Sequence, residues 1–460
     1  MGLPDGIVAV VKSDCPTCRL VAPVLAGLSA TVISEDDDAG LEASYRNEII
    51  TVPTLLRVEG GRETARIEGW SRRQWEEFTG VDGLGPGLPD HRPGCGSRAV
   101  DPATARALAV RFGASRLRSR RVELAEQEDE AEAGFDRGWS DGLPVVAPTE
   151  GRVLAMLDGT TRAPDEVVAV VPPDLVECTV EKVAVNAVLA GCKAEYLPVV
   201  LAAVEAACTD AFNAHGLLAT TYFSGPVVIV NGPVRNAIGM NSGGNVLGQG
   251  NRANATIGRA LQLVIRNVGG GRPREVDRAT LGNPGKLTFC FAEDEEGSPW
   301  EPLSVERGFP PGTSTVTLFA GEGPSGIVDQ LSRTPESLAR SLAAGLRGVA
   351  HPKLAIGFDA VLVVSPEHAR VFREAGWDKT RLRKELLELL TSPGSELVRG
   401  AGECAEGLPE FLADVAVTKF RPDGLLIVHA GGRAGLFSSI IGGWINGDAG
   451  SQPVTLEVRS

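Results

Sequence analysis

The chain has few of the residues that most often supply acid–base or aromatic chemistry. Its 460 residues include 5 histidines and 3 tyrosines, and aromatic residues make up 5%. A catalytic histidine must therefore come from a short list. Basic residues are also in the minority, with 45 Lys plus Arg against 59 Asp plus Glu, a net charge of −14. Because phosphate binding depends on Lys and Arg, we expect no nucleic-acid partner.

Long hydrophobic runs and two common catalytic motifs are missing as well. No apolar stretch reaches the ~20 residues that span a bilayer, so we expect no membrane partner. The opening residues, Met1-Gly-Leu-Pro-Asp5, lack the basic start of a signal peptide, which predicts a cytoplasmic location. The absence of a P-loop pattern and of a G-x-S-x-G elbow argues against a P-loop nucleotide site and an α/β-hydrolase.

Composition and periodicity divide the chain into three regions. Residues 1–81 carry compact strand and helix signals, including a hairpin turn at Glu59-Gly60-Gly61, and residues 139–460 alternate helices with short strands. Between them, residues 82–138 begin as a flexible Gly/Pro-rich tether and continue as a charged helical stretch from Asp101 to about Phe135.

Strands of the third region, such as Val227–Val230 and Leu425–Val428, are apolar on both faces. A buried parallel sheet requires this pattern. The sequence therefore predicts an α/β protein with a small first domain and a larger α/β domain. That larger domain, taken as the catalytic one, is expected to have a mostly parallel sheet, with a division into two lobes left open.

A cysteine pair near the amino end, Cys15-Pro-Thr-Cys18, follows a strand and opens a helix. A helix start offers unpaired N–H groups and partial positive charge, which stabilise a thiolate at Cys15. The spacing places Cys18 about one turn away, where it can resolve a mixed disulfide. The pattern favours a redox-active dithiol over half a zinc site, since no second C-x-x-C is present. A redox-inert adaptor is the other alternative.

Residues 5–81 resemble the thioredoxin fold. Besides the cysteine pair, Val52-Pro53-Thr54 opens a strand at the segment where that family holds a cis proline beside the two sulfurs. The resemblance implies that Cys15 is the attacking thiol and Cys18 the resolving one. It also implies that Pro53, with the Val52 backbone, forms a peptide-docking edge.

The segment departs from the commonest pattern of that family in two places. Asp14 stands where an aromatic residue is frequent, and Pro16-Thr17 replaces Gly-Pro. An acid beside the thiolate is expected to raise its pKa.

The larger region is similar to bacterial proteins of unassigned activity, often labelled by an attached thioredoxin-like domain. The blocks that carry this likeness are Gly138–Pro144, Asn241–Asn254 and Ala430–Trp444. The likeness implies no particular chemistry.

Two further cysteines are candidates for function. Cys95, flanked by Gly94 and Gly96, is predicted to be an accessible thiol on the mobile tether, able to shuttle between the dithiol and a distant site. The alternative is an incidental surface cysteine. Cys192, beside Lys193 near a predicted helix start, is expected to have a lowered pKa. Its alternative is a small core residue.

Polar residues follow two apolar strands of the larger region, where ligands of open parallel sheets collect. One strand leads into a glycine- and amide-rich loop before a helix, which could cradle a carboxylate or phosphate. The alternative is a loop that buries itself. The other strand leads into His429, a candidate for acid–base work. The candidate substrate-binding residues are Asn231, Asn241, Ser242, Asn245, Asn251, Arg252 and Arg433.

These observations favour a thiol-dependent oxidoreductase, in which the dithiol passes electrons, through Cys95, to a pocket lined by the amide-rich loop, His429 and Cys192. The alternatives are an organosulfur lyase or transferase with the dithiol as accessory reductant, and a soft-metal or thiol carrier. We identify no cofactor other than the dithiol and no metal site. The expected partner is a small-molecule or thiol substrate, and self-association into a homo-oligomer is left open.

Overall fold

The computed structural model describes residues 3–112, 117–125 and 128–459. It mixes helices and open sheets, with 35% helix and 22% strand. The chain forms two compact units, Met1–Arg116 and Leu117–Ser460. This single division differs from the predicted boundaries at 81 and 138.

The first unit contains eight strands and four α-helices among its described residues, besides a 3-10 turn at Arg98–Val100. They are β1 (Gly6–Val11), α1 (Pro16–Gly27), β2 (Ala30–Ser34), α2 (Asp38–Arg46), β3 (Thr51–Val52), β4 (Thr54–Glu59), β5 (Arg62–Glu68), β6 (Trp70–Ser71), α3 (Arg72–Thr79), β7 (His91–Arg92), β8 (Cys95–Gly96) and α4 (Pro102–Phe112).

A four-stranded sheet in the order β2-β1-β4-β5 organises this unit. The first pair is parallel, because α1 carries the chain from β1 back to the start of β2. β4 and β5 are added antiparallel, joined by the predicted turn at Gly60-Gly61. Both faces of β1 are buried, with Val8 and Val10 packed on the cysteine side and Ala9 against the two tryptophans of the other face.

Residues 82–100 do not form the predicted free tether. β7 pairs with β6, and β8 pairs with β3, so the segment is hydrogen-bonded to the first unit at two places. The indole of Trp70 adds a third attachment, donating to the Pro89 carbonyl at 2.6 Å. The glycines and prolines of residues 82–100 form turns in a closely packed segment. A high content of these residues does not by itself distinguish such a segment from a flexible tether.

The predicted helical stretch from Asp101 to about Phe135 is only partly helical. α4 ends at Phe112, and a separate helix begins at Glu130. Residues 117–125 are described and lie in no helix, whereas residues 113–116 and 126–127 fall outside the described chain. The high charge of the stretch indicated solvent exposure but not continuity of the helix.

The second unit contains the remaining elements of the described chain. They are α5 (Glu130–Asp136), α6 (Glu150–Leu157), β9 (Val167–Val171), β10 (Val176–Thr179), α7 (Val180–Ala190), α8 (Leu197–Ala207), α9 (Ala214–Ala219), β11 (Gly225–Asn231), α10 (Val234–Ala237), α11 (Arg252–Asn267), β12 (Cys290–Ala292), α12 (Leu303–Glu306), β13 (Thr315–Val328), α13 (Pro335–Leu346), β14 (Phe358–Val364), α14 (Pro366–Glu374), α15 (Lys379–Leu389), β15 (Thr391–Pro393), α16 (Gly394–Leu397), β16 (Ala416–Thr418), β17 (Leu425–His429), β18 (Phe437–Ile445) and β19 (Val454–Glu457).

Its main sheet has seven strands, in the order β12-β11-β13-β18-β14-β17, with β19 also paired to β13. The prediction of a mostly parallel sheet is wrong. Only β11 with β12 and β14 with β17 are parallel. The pairings made by β13 and β18 are antiparallel. Strands that are apolar on both faces show that both faces are covered, and they do not reveal strand direction.

The long strand β13 joins two halves of this sheet. Its first part pairs with β11 and β19, and after a register shift between Gly321 and Pro324 its second part pairs with β18. α7, α8 and α11 cover one half, and α13, α14 and α15 cover the other. The opposite faces of both halves share one core, which includes Ile229 of β11, Phe291 of β12 and Val428 of β17.

The two ends of the sheet meet at that shared core. The Asp294 N–H, just beyond β12, donates to the carbonyl of His429 in β17 at 2.8 Å. β12 and β17 are the outermost strands of the order, so the sheet bends until its halves face each other. Among the described residues, no helix combines the length and apolar character needed to cross a bilayer.

The bent sheet leaves no room for side chains at some glycines of its central strands. A Cβ at Gly443 of β18 would lie 2.6 Å from the Asp359 carbonyl oxygen and 2.9 Å from Cζ of Phe319. We expect Gly443→Ala to destabilise the protein by about 1–3 kcal/mol through overpacking. Gly326→Ala in β13, where nothing lies within 4 Å, is the matched control and should change stability by less than about 0.5 kcal/mol. Urea denaturation measures both, and equal midpoints would contradict the assignment of β18 to the sheet centre.

Candidate redox site

The cysteine pair lies at the start of α1, as predicted. Cys15 is the N-cap residue in an extended conformation, and Pro16 occupies the first helical position, where no N–H is needed. The Cys18 N–H donates to Cys15 Sγ at 3.2 Å. The first sulfur therefore receives one of the unpaired donors of the helix start.

The Val52–Pro53 segment lies beside the first sulfur. Its peptide bond is cis, and the Val52 carbonyl oxygen is 3.5 Å from Cys15 Sγ. The Pro53 carbonyl accepts from the N–H of Gly69 at 2.7 Å, which holds the segment against the neighbouring strand. The structure thus brings Cys15, Cys18 and Pro53 together.

Cys95 is the third member of the cluster. It pairs with Val52 across the β3–β8 ladder, and Gly96 pairs with Thr51. The Cys95 side chain packs against the cluster of buried residues that contains Cys15 and Cys18. The expectation of a thiol on a mobile tether is wrong, because the backbone of Cys95 is held in an antiparallel ladder at the cysteine pair.

Residues 91–97, which we call the covering strip, are held at several points. The Thr17 hydroxyl donates to the Pro93 carbonyl at 2.7 Å, and the Ser97 N–H donates to the Ile50 carbonyl at 2.9 Å. The Ser97 hydroxyl also bonds to Glu35, whose other carboxylate oxygen accepts from the Arg98 N–H at 2.8 Å.

Glu35 is 0% exposed, so an unpaired carboxylate there would be costly. Its hydrogen bonds make it an anchor of the covering strip. Sequence reasoning missed this residue, because an acid directly after β2 reads as a solvated loop residue.

The three sulfurs differ in pKa. Burial opposes ionisation of Cys15, but hydrogen bonds from the Cys95 thiol and from the N–H and thiol of Cys18 outweigh it and lower the pKa of Cys15. Burial raises the pKa of Cys18 strongly. The hydrogen bond that Cys95 donates to Cys15 raises the pKa of Cys95. Of the three sulfurs, Cys15 is therefore the one that ionises most readily.

Asp14 does not have the predicted effect. Its carboxylate lies 3.7 Å from the Lys12 ammonium and 3.5 Å from the Arg98 guanidinium. These cations compensate its charge, and the pKa of Cys15 is lowered rather than raised. No sequence signal indicated that Arg98, which follows the covering strip, would compensate the charge of Asp14.

The sulfur that ionises most readily is not the one that is accessible to solvent. Cys15 is 0% exposed and Cys18 is 4% exposed, whereas Cys95 is partly exposed. All eight cysteines are free thiols. The outermost sulfur of the cluster is thus the one on the covering strip.

Cys192 lies in the second unit and does not have the lowered pKa expected for it. Burial raises the pKa of its thiol to about 12. Its Sγ lies 3.3 Å from the Thr256 carbonyl of α11, and Lys193 instead pairs with Glu195. The environment is that of a small core residue, because desolvation outweighs the nearby charges.

The amide-rich loop before α11 satisfies its own polar groups. Asn251 caps α11 by accepting from the Asn254 N–H at 3.0 Å, and its amide donates to the Gly239 carbonyl at 2.8 Å. Asn241 and Asn245 donate to the carbonyls of Gly244 and Gln249 within the same loop. The side-chain amides expected to face a ligand are used to close the loop.

The remaining binding candidates lie around this loop without forming one cleft. Arg252 donates to the Gly191 carbonyl at 2.9 Å, and Arg433 is exposed. The carbonyl of Ser242 accepts from the Gly431 N–H at 2.9 Å, so the loop and the segment after β17 are in contact. That contact is the part of the predicted pocket that the structure brings together.

His429 is 0% exposed and belongs to a buried polar network. Its Nδ1 lies 3.0 Å from the Asp294 carbonyl oxygen, and its Nε2 has no hydrogen-bond partner. Asn231, at the end of β11, donates to Glu293 at 2.7 Å, and Lys379 approaches the same carboxylate at 3.5 Å. Glu293 and Lys379 gave no sequence signal, because they are separated in the chain and meet only through the bent sheet.

Neither a metal-binding group nor a matching protein adds to the description of the site. Within the described residues, no group of three or more His, Cys, Asp or Glu side chains is arranged to hold a metal ion. No family model, curated protein or solved structure matches the chain.

The hydrogen bond from Cys95 to Cys15 gives a test of the cluster. Cys95→Ala removes the donor, whereas Cys95→Ser keeps one at the same position. We expect the Cys15 pKa to be higher in the alanine variant than in the serine variant, as followed by thiolate absorbance in the far ultraviolet during a pH titration. Subtracting the absorbance of one variant from that of the other removes the contribution of the cysteines that both variants contain. Superimposable titrations would remove Cys95 as a source of thiolate stabilisation.

Proposed function

We propose that the chain is a thiol–disulfide oxidoreductase whose first unit is a thioredoxin-like domain with Cys15 as the attacking sulfur. The observation that carries the proposal is the Cys15 sulfur at the start of α1, with a lowered pKa and a second cysteine one turn away. The sheet order β2-β1-β4-β5 and the cis peptide bond beside Cys15 support the proposed likeness.

The reaction is an exchange of sulfur partners. A thiolate of the cluster attacks a substrate disulfide, which gives a mixed disulfide and releases one substrate thiolate. Attack by a second cysteine then releases the other substrate thiolate and leaves a disulfide that includes Cys15. The substrate disulfide gains two electrons, the dithiol loses two, and an external thiol restores the reduced protein. No cofactor is required for this chemistry.

The partners and location belong to the same proposal. We propose a disulfide- or thiol-containing substrate, and a cytosolic location in which thiol reductants keep the pair reduced. For the second unit we propose a substrate-binding role. Its support is the contact between the amide-rich loop and the segment after β17, together with the unpartnered Nε2 of His429.

Removal of the attacking sulfur tests the function. We expect Cys15→Ser to abolish dithiol-driven reduction of a disulfide, because an alcohol with an unperturbed pKa cannot replace the thiolate. Turnover with oxidised glutathione and an excess of a dithiol reductant measures this. Cys404→Ser is the control, since Cys404 is also a free thiol but is partly exposed and lies in the second unit, and it should keep full turnover. Undiminished turnover in Cys15→Ser would exclude the proposed function.

A further inference from the structure

The attacking sulfur of the proposed function is not at the surface. Cys15 is 0% exposed, whereas Cys95, which packs against the same cluster, is partly exposed. Exchange needs the attacking and attacked sulfurs to come into line and in contact. An external disulfide therefore meets Cys95 before it meets Cys15.

The covering strip also occupies the Val52 backbone. Val52 is paired with Cys95, and Thr51 with Gly96, so the edge that would receive an extended peptide is already used by the chain itself. The strip is fixed at both ends by β7 and by Ser97. This arrangement favours substrates that need no strand pairing, namely small disulfides.

From this geometry we propose that Cys95 is a third redox cysteine, at which small-molecule disulfides enter and from which the disulfide passes inward to Cys15 and Cys18. The proposal depends on the redox function assigned to the first unit. It adds a third residue to the exchange and a class of substrate.

The first step begins with a proton transfer between the neighbouring Cys95 and Cys15 side chains. The Cys95 thiol gives its proton to the Cys15 thiolate, and the resulting Cys95 thiolate attacks a disulfide RSSR. A Cys95–SR mixed disulfide forms, and the departing RS⁻ takes the proton from Cys15 to become RSH. One S–S bond has broken and one has formed.

The next two steps move the disulfide inward. The Cys15 thiolate attacks Cys95 Sγ, which forms a Cys15–Cys95 disulfide and releases the second RS⁻. Cys18, deprotonated by that thiolate, then attacks Cys15 Sγ, which forms the Cys15–Cys18 disulfide and frees Cys95. In total RSSR gains two electrons to give two RSH, and the Cys15–Cys18 pair loses them.

The arrangement of the three sulfurs suits transfer of the disulfide from Cys95 to Cys15 and then to Cys18. Cys15, Cys18 and Cys95 pack in one cluster, and the Cys18 backbone nitrogen lies 3.2 Å from Cys15 Sγ, so Cys15 has both other cysteines as neighbours. Cys18 is 4% exposed and reaches solvent less than Cys95 does. Cys15 is thus the central sulfur of a three-membered chain.

Single-turnover oxidation of the reduced full-length protein by oxidised glutathione tests this relay. Samples are quenched with acid and mapped by mass spectrometry for glutathione adducts and disulfide-linked peptides. In Cys15→Ser, glutathione should remain on Cys95, and in Cys18→Ser the Cys15–Cys95 disulfide should accumulate. In Cys95→Ser, formation of the Cys15–Cys18 disulfide should slow by at least about tenfold, because the only route left is to a buried sulfur.

Two glycines of the covering strip give a matched pair that keeps all three cysteines. A Cβ at Gly94 would lie 2.3 Å from Cγ2 of Thr51 and 2.7 Å from the Val52 carbonyl oxygen, whereas nothing lies within 4 Å at Gly96. We expect Gly94→Ala to displace the strip, so that the Cys95–glutathione adduct persists, and Gly96→Ala to behave as the wild type. This pair keeps the proposal testable if Cys95→Ser fails to fold.

The outcomes separate the relay from the function on which it depends. Formation of the Cys15–Cys18 disulfide at the wild-type rate in Cys95→Ser would overturn the relay and leave the dithiol intact. A first glutathione adduct on Cys15 in the wild type would do the same. If no disulfide containing Cys15 forms in the wild type, both the relay and the proposed oxidoreductase function fail.

Discussion

The antiparallel pairing of Val52 with Cys95 is the constraint on which the proposed redox site depends. It places a third sulfur against Cys15, and the thiol it delivers helps to lower the Cys15 pKa although Cys15 is buried. Glu35 stabilises the pairing by accepting hydrogen bonds from the Ser97 hydroxyl and the Arg98 N–H. The chemistry of the first unit is therefore set by a segment outside the predicted domain.

The second unit places its polar groups differently. His429, Asn231 and Glu293 meet where the two ends of the bent sheet come together, and His429 and Glu293 are 0% exposed. Their hydrogen bonds join β11, β12 and β17, which makes the network part of the sheet closure. Cys192, with a pKa of about 12, shows in the same way that a sulfur near a helix start is inert when desolvation dominates.

Local sequence signals predicted the local structure well. Cys15-Pro-Thr-Cys18 opens α1, the Gly60-Gly61 turn joins β4 and β5, and the apolar runs at 227–230 and 425–428 lie in β11 and β17. Each of these depends on residues close together in the chain. Helix capping, turn geometry and the burial of both strand faces are determined by such short segments of sequence.

What the sequence did not reveal depends on distant partners. The glycine-rich segment at Cys95 reads as a flexible linker until its pairing with Val52 is known. β18 contains Gly442 and Gly443 and lacks a strong strand pattern, yet it lies at the centre of the sheet. Glycine is needed at position 443 because a side chain there would overlap Asp359 and Phe319. The direction of the strands likewise depended on β18 and β13, whose neighbours are far apart in the chain.

The length of β13 has a consequence for how the second unit comes apart. One continuous strand supplies hydrogen bonds to both halves of the sheet, and the faces of both halves share a single core. Neither half has a complete set of backbone partners or a closed apolar interior without the other. The two halves are thus one cooperative unit, and loss of either should expose the interior of both.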